Sequence, residues 1–234
     1  MTETSLAELL NLTATPVAIA FVDTAPPGVP HVGTAEPAGC GYWRRATSGE
    51  VFYTVADDHK FCPVGAHTHN VPLSATEKEG LLGLIDTMVG LEYLTVEDVG
   101  QIPTRKTPLN VAVYAPLDAT PVPPDVVLVR GNARQLMLLA EAAQAADVAG
   151  AGPTMGRPTC AVVPETINAA CTSVSLGCVG NRVYTGATDD EAYFAIPGAQ
   201  FHALEEKLAV IVRANHELEK FHRDRATGAP KAWT

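Results

Sequence analysis

Three of the chain's five cysteines fall in one stretch, Cys160 to Gly186, where a valine-rich run ending at Pro164 gives way to alanines and then to small residues around Cys178. Cys178 lies between Gly177 and Gly180, and glycines there let backbone approach a ligand closely. The other two cysteines occur in segments of like character, Cys40 in A-G-C-G-Y-W-R-R-A and Cys62 in D-H-K-F-C-P-V-G-A-H-T-H-N. A fold for this chain has to place thiols in loops bounded by glycine and proline. One that joins its two halves brings four thiolates to a single centre.

Local patterns place the regular elements around these loops. Ser5 to Glu8, Ser74 to Glu77 and the cap at Asn132 mark three helix starts. The first is short, with Leu6, Leu9 and Leu10 on one side; the second carries Leu81, Leu82, Leu84, Ile85 and Met88 to a stop at Gly90; the third runs to Ala146. A last helix is expected from Ala203 to Arg223. Strands are expected at 16–22, 49–55, 109–115 and 125–130, and as a pair at 181–185 and 191–196, from their β-branched content and alternation. Seven prolines and glycines between Asp23 and Gly41 exclude regular structure, so Cys40 arrives at the end of a long loop. Tyr42 to Ala46 suits one or two helical turns, and 99–108 reads as a connector. Strands alternating with helices suggest β-α-β units. A faint echo of strand, cysteine loop, strand and helix links the halves, with too little identity to establish a repeat.

With 234 residues, 47% of them hydrophobic and 18% charged, the chain can bury one core without disulfides. The expectation is a single α/β (or α+β) domain over residues 1–234, with a mixed sheet, flanking helices and long cysteine-bearing loops. A net charge of −10 argues against nucleic acid and anionic membranes as partners. The start M-T-E-T-S-L-A-E-L-L lacks the features of a signal peptide, and no apolar run reaches membrane-spanning length. A cytoplasmic protein is expected, in which an odd number of scattered cysteines points to metal, cluster or catalysis before disulfides.

The ordered motifs Pro16-Val-Ala-Ile-Ala-Phe, Gly39-Cys40-Gly-Tyr-Trp43, Asp58-His59, Cys62-Pro-Val-Gly-Ala-His-Thr-His69, Ser175-Leu-Gly-Cys-Val-Gly-Asn-Arg-Val-Tyr-Thr-Gly186 and Ile196-Pro-Gly198 resemble the DUF169 family over nearly the whole chain. That group of archaeal and bacterial proteins is described as cysteine-rich, and no reaction comes with it. The resemblance implies a single-domain cytosolic protein with a cysteine-based site. Cys40, Cys62 and Cys178 match its motifs, Cys160 is the fourth candidate, and Cys171, in the alanine-rich turn, is left out.

Three chemistries fit these residues. An iron–sulfur cluster, most simply [4Fe–4S], would take Cys40, Cys62, Cys160 and Cys178, since thiolates are soft donors and close backbone can donate N–H groups to sulfur. No C-x-x-C pair supplies the usual ferredoxin spacing. Zinc would add His67 and His69, which share a side if their segment is extended. Without metal, Cys62 or Cys178 becomes a nucleophile activated by His59, His67 or an arginine, Arg44, Arg45 or Arg182. The stretch Gly150 to Gly156 lacks the G-K-[ST] ending of a phosphate loop and reads as a bend; Tyr42 and Trp43 read as core. The cluster reading carries a redox or sulfur-handling, oxidoreductase-type role. In it His67 and His69 tune the site or donate protons and Arg182 positions an anionic substrate. The partner is then a small molecule or an electron-transfer protein, and self-association into a homo-oligomer stays open.

Overall fold

The computed structural model describes residues 5–150 and 158–228. In chain order the elements are α1 (Leu6–Leu10), β1 (Val17–Val22), α2 (Cys40–Thr47), β2 (Phe52–Val55), α3 (Pro63–Thr68), α4 (Ala75–Gly90), α5 (Val96–Gly100), β3 (Val111–Pro116), β4 (Val126–Asn132), α6 (Ala133–Ala145), α7 (Val162–Ala169), β5 (Ser173–Ser175), α8 (Val179–Thr185), β6 (Glu191–Pro197) and α9 (Phe201–Thr227). The three expected caps form as capping boxes, Ser5 with Glu8, Ser74 with Glu77 and Asn132 with Gln135. The Gly150 to Thr159 bend falls mostly outside the described residues.

The strands form one six-stranded sheet in the order β2-β3-β1-β4-β6-β5, and every ladder in it is antiparallel. The expected mixture of α and β in one domain is present. The sheet is antiparallel throughout rather than mixed, and the β-α-β units are split: β1-α2-β2 and β4-α6-α7-β5 each join two strands of the same direction that lie on either side of a third, β3 and β6.

The sheet carries a local two-fold axis. At its centre Val17 pairs with Leu128, Ala18 with Val127 and Ile19 with Val126. Exchanging Val17 with Val126 and Ile19 with Leu128 returns the same pairs, so the axis passes between Ala18 and Val127. It also carries β3 onto β6 and β2 onto β5. Val17 pairs with Pro116 as Val126 pairs with Pro197, and Phe52 pairs with Tyr114 as Ser173 pairs with Ala195. The echo between the halves is therefore structural. In each half one helix precedes the edge strand (α2, α7) and one follows it (α3, α8).

Alternation along the strands sends side chains to two faces. On one, Val127, Val129, Phe194 and Ile196 meet α1, α6 and α9 through Leu6, Leu10, Leu139, Leu204 and Leu208. Asn215 and Arg134 add bonds between α6 and α9, to Glu141 at 2.9 Å and Glu219 at 2.6 Å. On the other, Val17, Ile19, Tyr114, Val126, Leu128, Tyr193 and Ala195 pack with Tyr42, Trp43, Cys40 and Cys160. Tyr42 and Trp43 are core residues, as expected. The leucines of α4 are not buried.

Two segments differ from their sequence patterns. Asn181 to Thr185, expected as a strand paired with β6, belongs to α8, and β6 pairs with β5 and β4 instead. Its β-branched and aromatic residues favour a strand, yet the Cys178 side chain accepts the Asn181 N–H at the start and Gly186, with φ of 69°, closes the end. The valine run after Cys160 is the first turn of α7, where Pro164 gives up an N–H that has no intrahelical partner. Among the described residues no helix is long and apolar enough to cross a membrane.

Candidate cysteine site

Each half of the sheet delivers two cysteines at helix starts. In the first half Cys40 is the opening residue of α2, and Cys62 is the cap of α3, its Sγ accepting the Gly65 N–H at 3.3 Å. In the second half Cys160 lies in the 3-10 turn Thr159–Ala161 that leads into α7, and Cys178 caps α8, its Sγ accepting the Asn181 N–H at 3.4 Å. Helix caps are normally Ser, Thr, Asp or Asn. Cysteine in that place at two symmetry-related positions aims backbone N–H groups at sulfur.

Close backbone contacts hold each pair together. Gly39 and Gly65 pack against one another: a Cβ added at Gly65 would stand 3.1 Å from Cys62 Sγ and 3.7 Å from the Gly39 Cα. In the second half the Cys178 N–H donates to Thr159 Oγ1 at 2.7 Å, tying the two cysteine segments directly. Gly177, at φ of 87°, has the conformation that glycine adopts without strain. The Arg182 guanidinium packs over it, within 3.3 Å of where a Cβ would be.

The four thiols form one interacting set. Burial pushes the Cys40 thiol up to about 12, and the charges of Cys62 and Cys178 act in the same direction. Burial also holds Cys160 well above its ordinary value, reinforced by Cys62, Cys178 and Cys40. The halves serve each other: Asn181 of α8 favours the charged form of Cys40, and Thr68 of α3 that of Cys160. Cys171 stands apart, raised by burial and by Glu165. Cys40 and Cys160 are buried, while Cys62 and Cys178 are half-buried beside the exposed Phe61, Leu176 and Val179. The Asn181 side chain, itself buried, has no hydrogen-bond partner for either polar atom.

His67 and His69 diverge. Pro63 at the first helical position and the Cys62 cap start α3 where an extended segment was expected, and helical residues two apart point about 200° apart. His67 Nε2 meets Thr104 Oγ1 at 3.2 Å. His69 Nδ1 lies 2.9 Å from the Gly65 carbonyl and therefore carries the proton. The His69 ring stacks on His59 at 5.2 Å between centroids. Burial lowers the pKa of both, that of His69 to about 4, so both are neutral at pH 7. His59 Nδ1 and His69 Nε2 are buried without partners. The shared metal side expected of His67 and His69 is thus not formed. Among the described residues no group of three His, Cys, Asp or Glu side chains is placed to hold a single metal ion.

The arginines have other duties. Arg182 donates to the carbonyls of Leu176 at 2.7 Å, Glu191 at 3.3 Å and Thr188, stitching the turn before α8 to the start of β6. Arg45 pairs with Glu50 at 2.5 Å, and Arg44 lies 3.5 Å from Glu36. Sequence patterns gave no role to Asn181, Thr68 or Arg105. Each acts through a neighbour distant in sequence, and no local signal marks it.

The DUF169 family model, described as uncharacterised ArCR, matches residues 5–207. The chain belongs to this family. No curated protein and no solved structure matches it.

Proposed function

We propose that this member of the DUF169 family binds an iron–sulfur cluster, most simply [4Fe–4S], through Cys40, Cys62, Cys160 and Cys178, and serves in a redox or sulfur-handling reaction. The observation that carries the proposal is the convergence of these four thiols, two from each half of a two-fold sheet, with the fifth cysteine left outside. Burial and the neighbouring sulfurs keep Cys40 and Cys160 protonated, and a cationic metal would offset the cost of ionising them. The surroundings fit a sulfur-rich guest. Gly39 and Gly65 leave room for close backbone, the Gly65 and Asn181 N–H groups already point at sulfur, and the unpartnered Asn181 amide adds a donor beside Cys40.

The cluster is favoured over zinc because no three His, Cys, Asp or Glu side chains among the described residues are grouped around a single ion. A tetrahedral zinc site, with Zn–S near 2.3 Å, draws its sulfurs to roughly 3.8 Å of one another. A cluster takes each thiolate on a different iron and so tolerates a wider set. When bound, such a cluster supplies one-electron transfer or a sulfur-based reaction. The chain's own part is to fix the thiols, exclude water with Trp43 and Tyr42 beneath Cys40, and expose Cys62 and Cys178 among Phe61, Leu176 and Val179, where an electron-transfer partner could dock. His69 acts as a positioning residue: it holds the Gly65 carbonyl while the Gly65 N–H reaches Cys62.

The test is spectroscopic. Protein purified without oxygen is expected to be brown, with broad thiolate-to-iron absorption that bleaches on reduction with dithionite. A colourless protein that stays colourless after incubation with ferrous iron and sulfide would overturn the proposal.

A further inference from the structure

At the ends of β1 and β3 lies an open cleft of about 350 Å³, lined by Arg105 and Phe21 together with Asp23, Thr107 and Asn110. Its size falls within the range of small-molecule sites. Arg105 is 8% exposed. Its Nε and Nη1 are buried with no hydrogen-bond partner. Asp125 Oδ2 is taken by the Phe21 N–H at 2.6 Å, and Asp23 Oδ1 faces Asn110 Nδ2 at 3.5 Å.

The residue is held firmly in this unpaired state. Its N–H donates to the Thr68 carbonyl at 3.0 Å, and its own carbonyl accepts from Asn70 Nδ2 at 3.0 Å. The guanidinium lies over the Phe21 ring, 3.7 Å from the centroid. Burial lowers the Arg105 pKa while the charges of Asp125 and Tyr114 oppose that shift, and His69 also interacts with it; His69 Nε2 and the Tyr114 hydroxyl are likewise buried without partners. A rigid fork of N–H donors matches carboxylate and phosphate oxygens.

We propose that Arg105 and this cleft bind a small molecule through an oxyanion group, a carboxylate or a phosphate. The stacked Phe21 ring keeps the fork flat, Thr107 and Asn110 offer further polar contacts, and Asp23 limits how much negative charge the cleft accepts. The site does not include the four cysteines, and Thr68 and His69 stand between it and them.

Calorimetric titration of the full chain with inorganic phosphate, and separately with acetate, at ionic strength held constant with chloride, tests this. Saturable binding of at least one anion is expected, and the preferred one identifies the oxyanion. Arg105→Met should weaken it about tenfold or more. Asp23→Asn, at an exposed position, should tighten it roughly two- to fivefold by removing a like charge. Absence of binding beyond the chloride control overturns the proposal, as does unchanged affinity in Arg105→Met. Should that variant fail to fold, an Asp23→Asn protein that binds no tighter overturns it equally.

Discussion

Leu139, Phe194, Ile196, Leu204 and Leu208 fill one face of the sheet with apolar side chains, whereas the opposite side of the molecule buries Thr54, His59, Thr68, His69, Arg105 and Asn181 together with Cys40 and Cys160. Burying a large apolar side chain contributes about 1.5–3 kcal/mol. A buried polar group without a partner costs about 1–3 kcal/mol, and Trp43, His59, His69, Arg105, Tyr114 and Asn181 all hold such atoms. The helix-covered face therefore stabilises the sheet, and the cysteine face draws on that stability to keep polar groups and thiols in place. Local rules of folding are relaxed on the face that carries the cysteines.

The strongest way to separate the faces is to weaken the apolar one. Leu204→Ala should cost about 2–5 kcal/mol in urea unfolding while leaving iron per folded chain unchanged. Loss of iron from the folded fraction would show that the faces are coupled more tightly than their packing implies.

Acid should act on the cysteine face instead. His69 has its pKa lowered to about 4 by burial, and His59 is lowered in the same direction. The unfolded chain then binds protons that the folded one refuses, so stability is complete above about pH 6.5 and falls as pH drops toward 4. For His69 alone the loss approaches about 3 kcal/mol. His69→Phe should flatten a stability profile across that window. Leu204→Ala should lower the whole profile without changing its slope.

Smaller effects are expected at the symmetry-related cysteine segments. Gly65→Ala places a Cβ 3.1 Å from Cys62 Sγ, and the displaced sulfur should make iron loss in air several-fold faster, with stability altered by about 1–3 kcal/mol. Cys171→Ser, remote from the four thiols, should leave the visible spectrum as it is. A spectrum altered as much as in the other cysteine variants would place Cys171 in the ligand set.

The parts of the fold legible in the sequence are those written locally. Ser5, Ser74 and Asn132 announce helices because a cap and its partner lie three residues apart. The strands around Val17, Val111 and Val126 are short apolar runs rich in valine. The α8 segment misleads because its cap is a cysteine sulfur, which no propensity rule anticipates. The antiparallel order and the two-fold axis depend on pairings more than a hundred residues apart, such as Ala18 with Val127, so only an echo reached the sequence. The four thiols could be named from their glycine-flanked motifs. Their neighbours could not: Arg105 is one arginine in a connector, and only the fold sets Phe21 beneath it.

The central claim is tested most directly by counting iron and acid-labile sulfide per chain, in protein purified without oxygen, for the native sequence, Cys171→Ser and Cys178→Ser. Equal amounts of iron and sulfide are expected in the first two, and neither in Cys178→Ser, whose far-ultraviolet circular dichroism should remain native. Native protein that carries only zinc, or a Cys178→Ser protein that keeps its full iron and sulfide, would contradict a cluster held by Cys40, Cys62, Cys160 and Cys178.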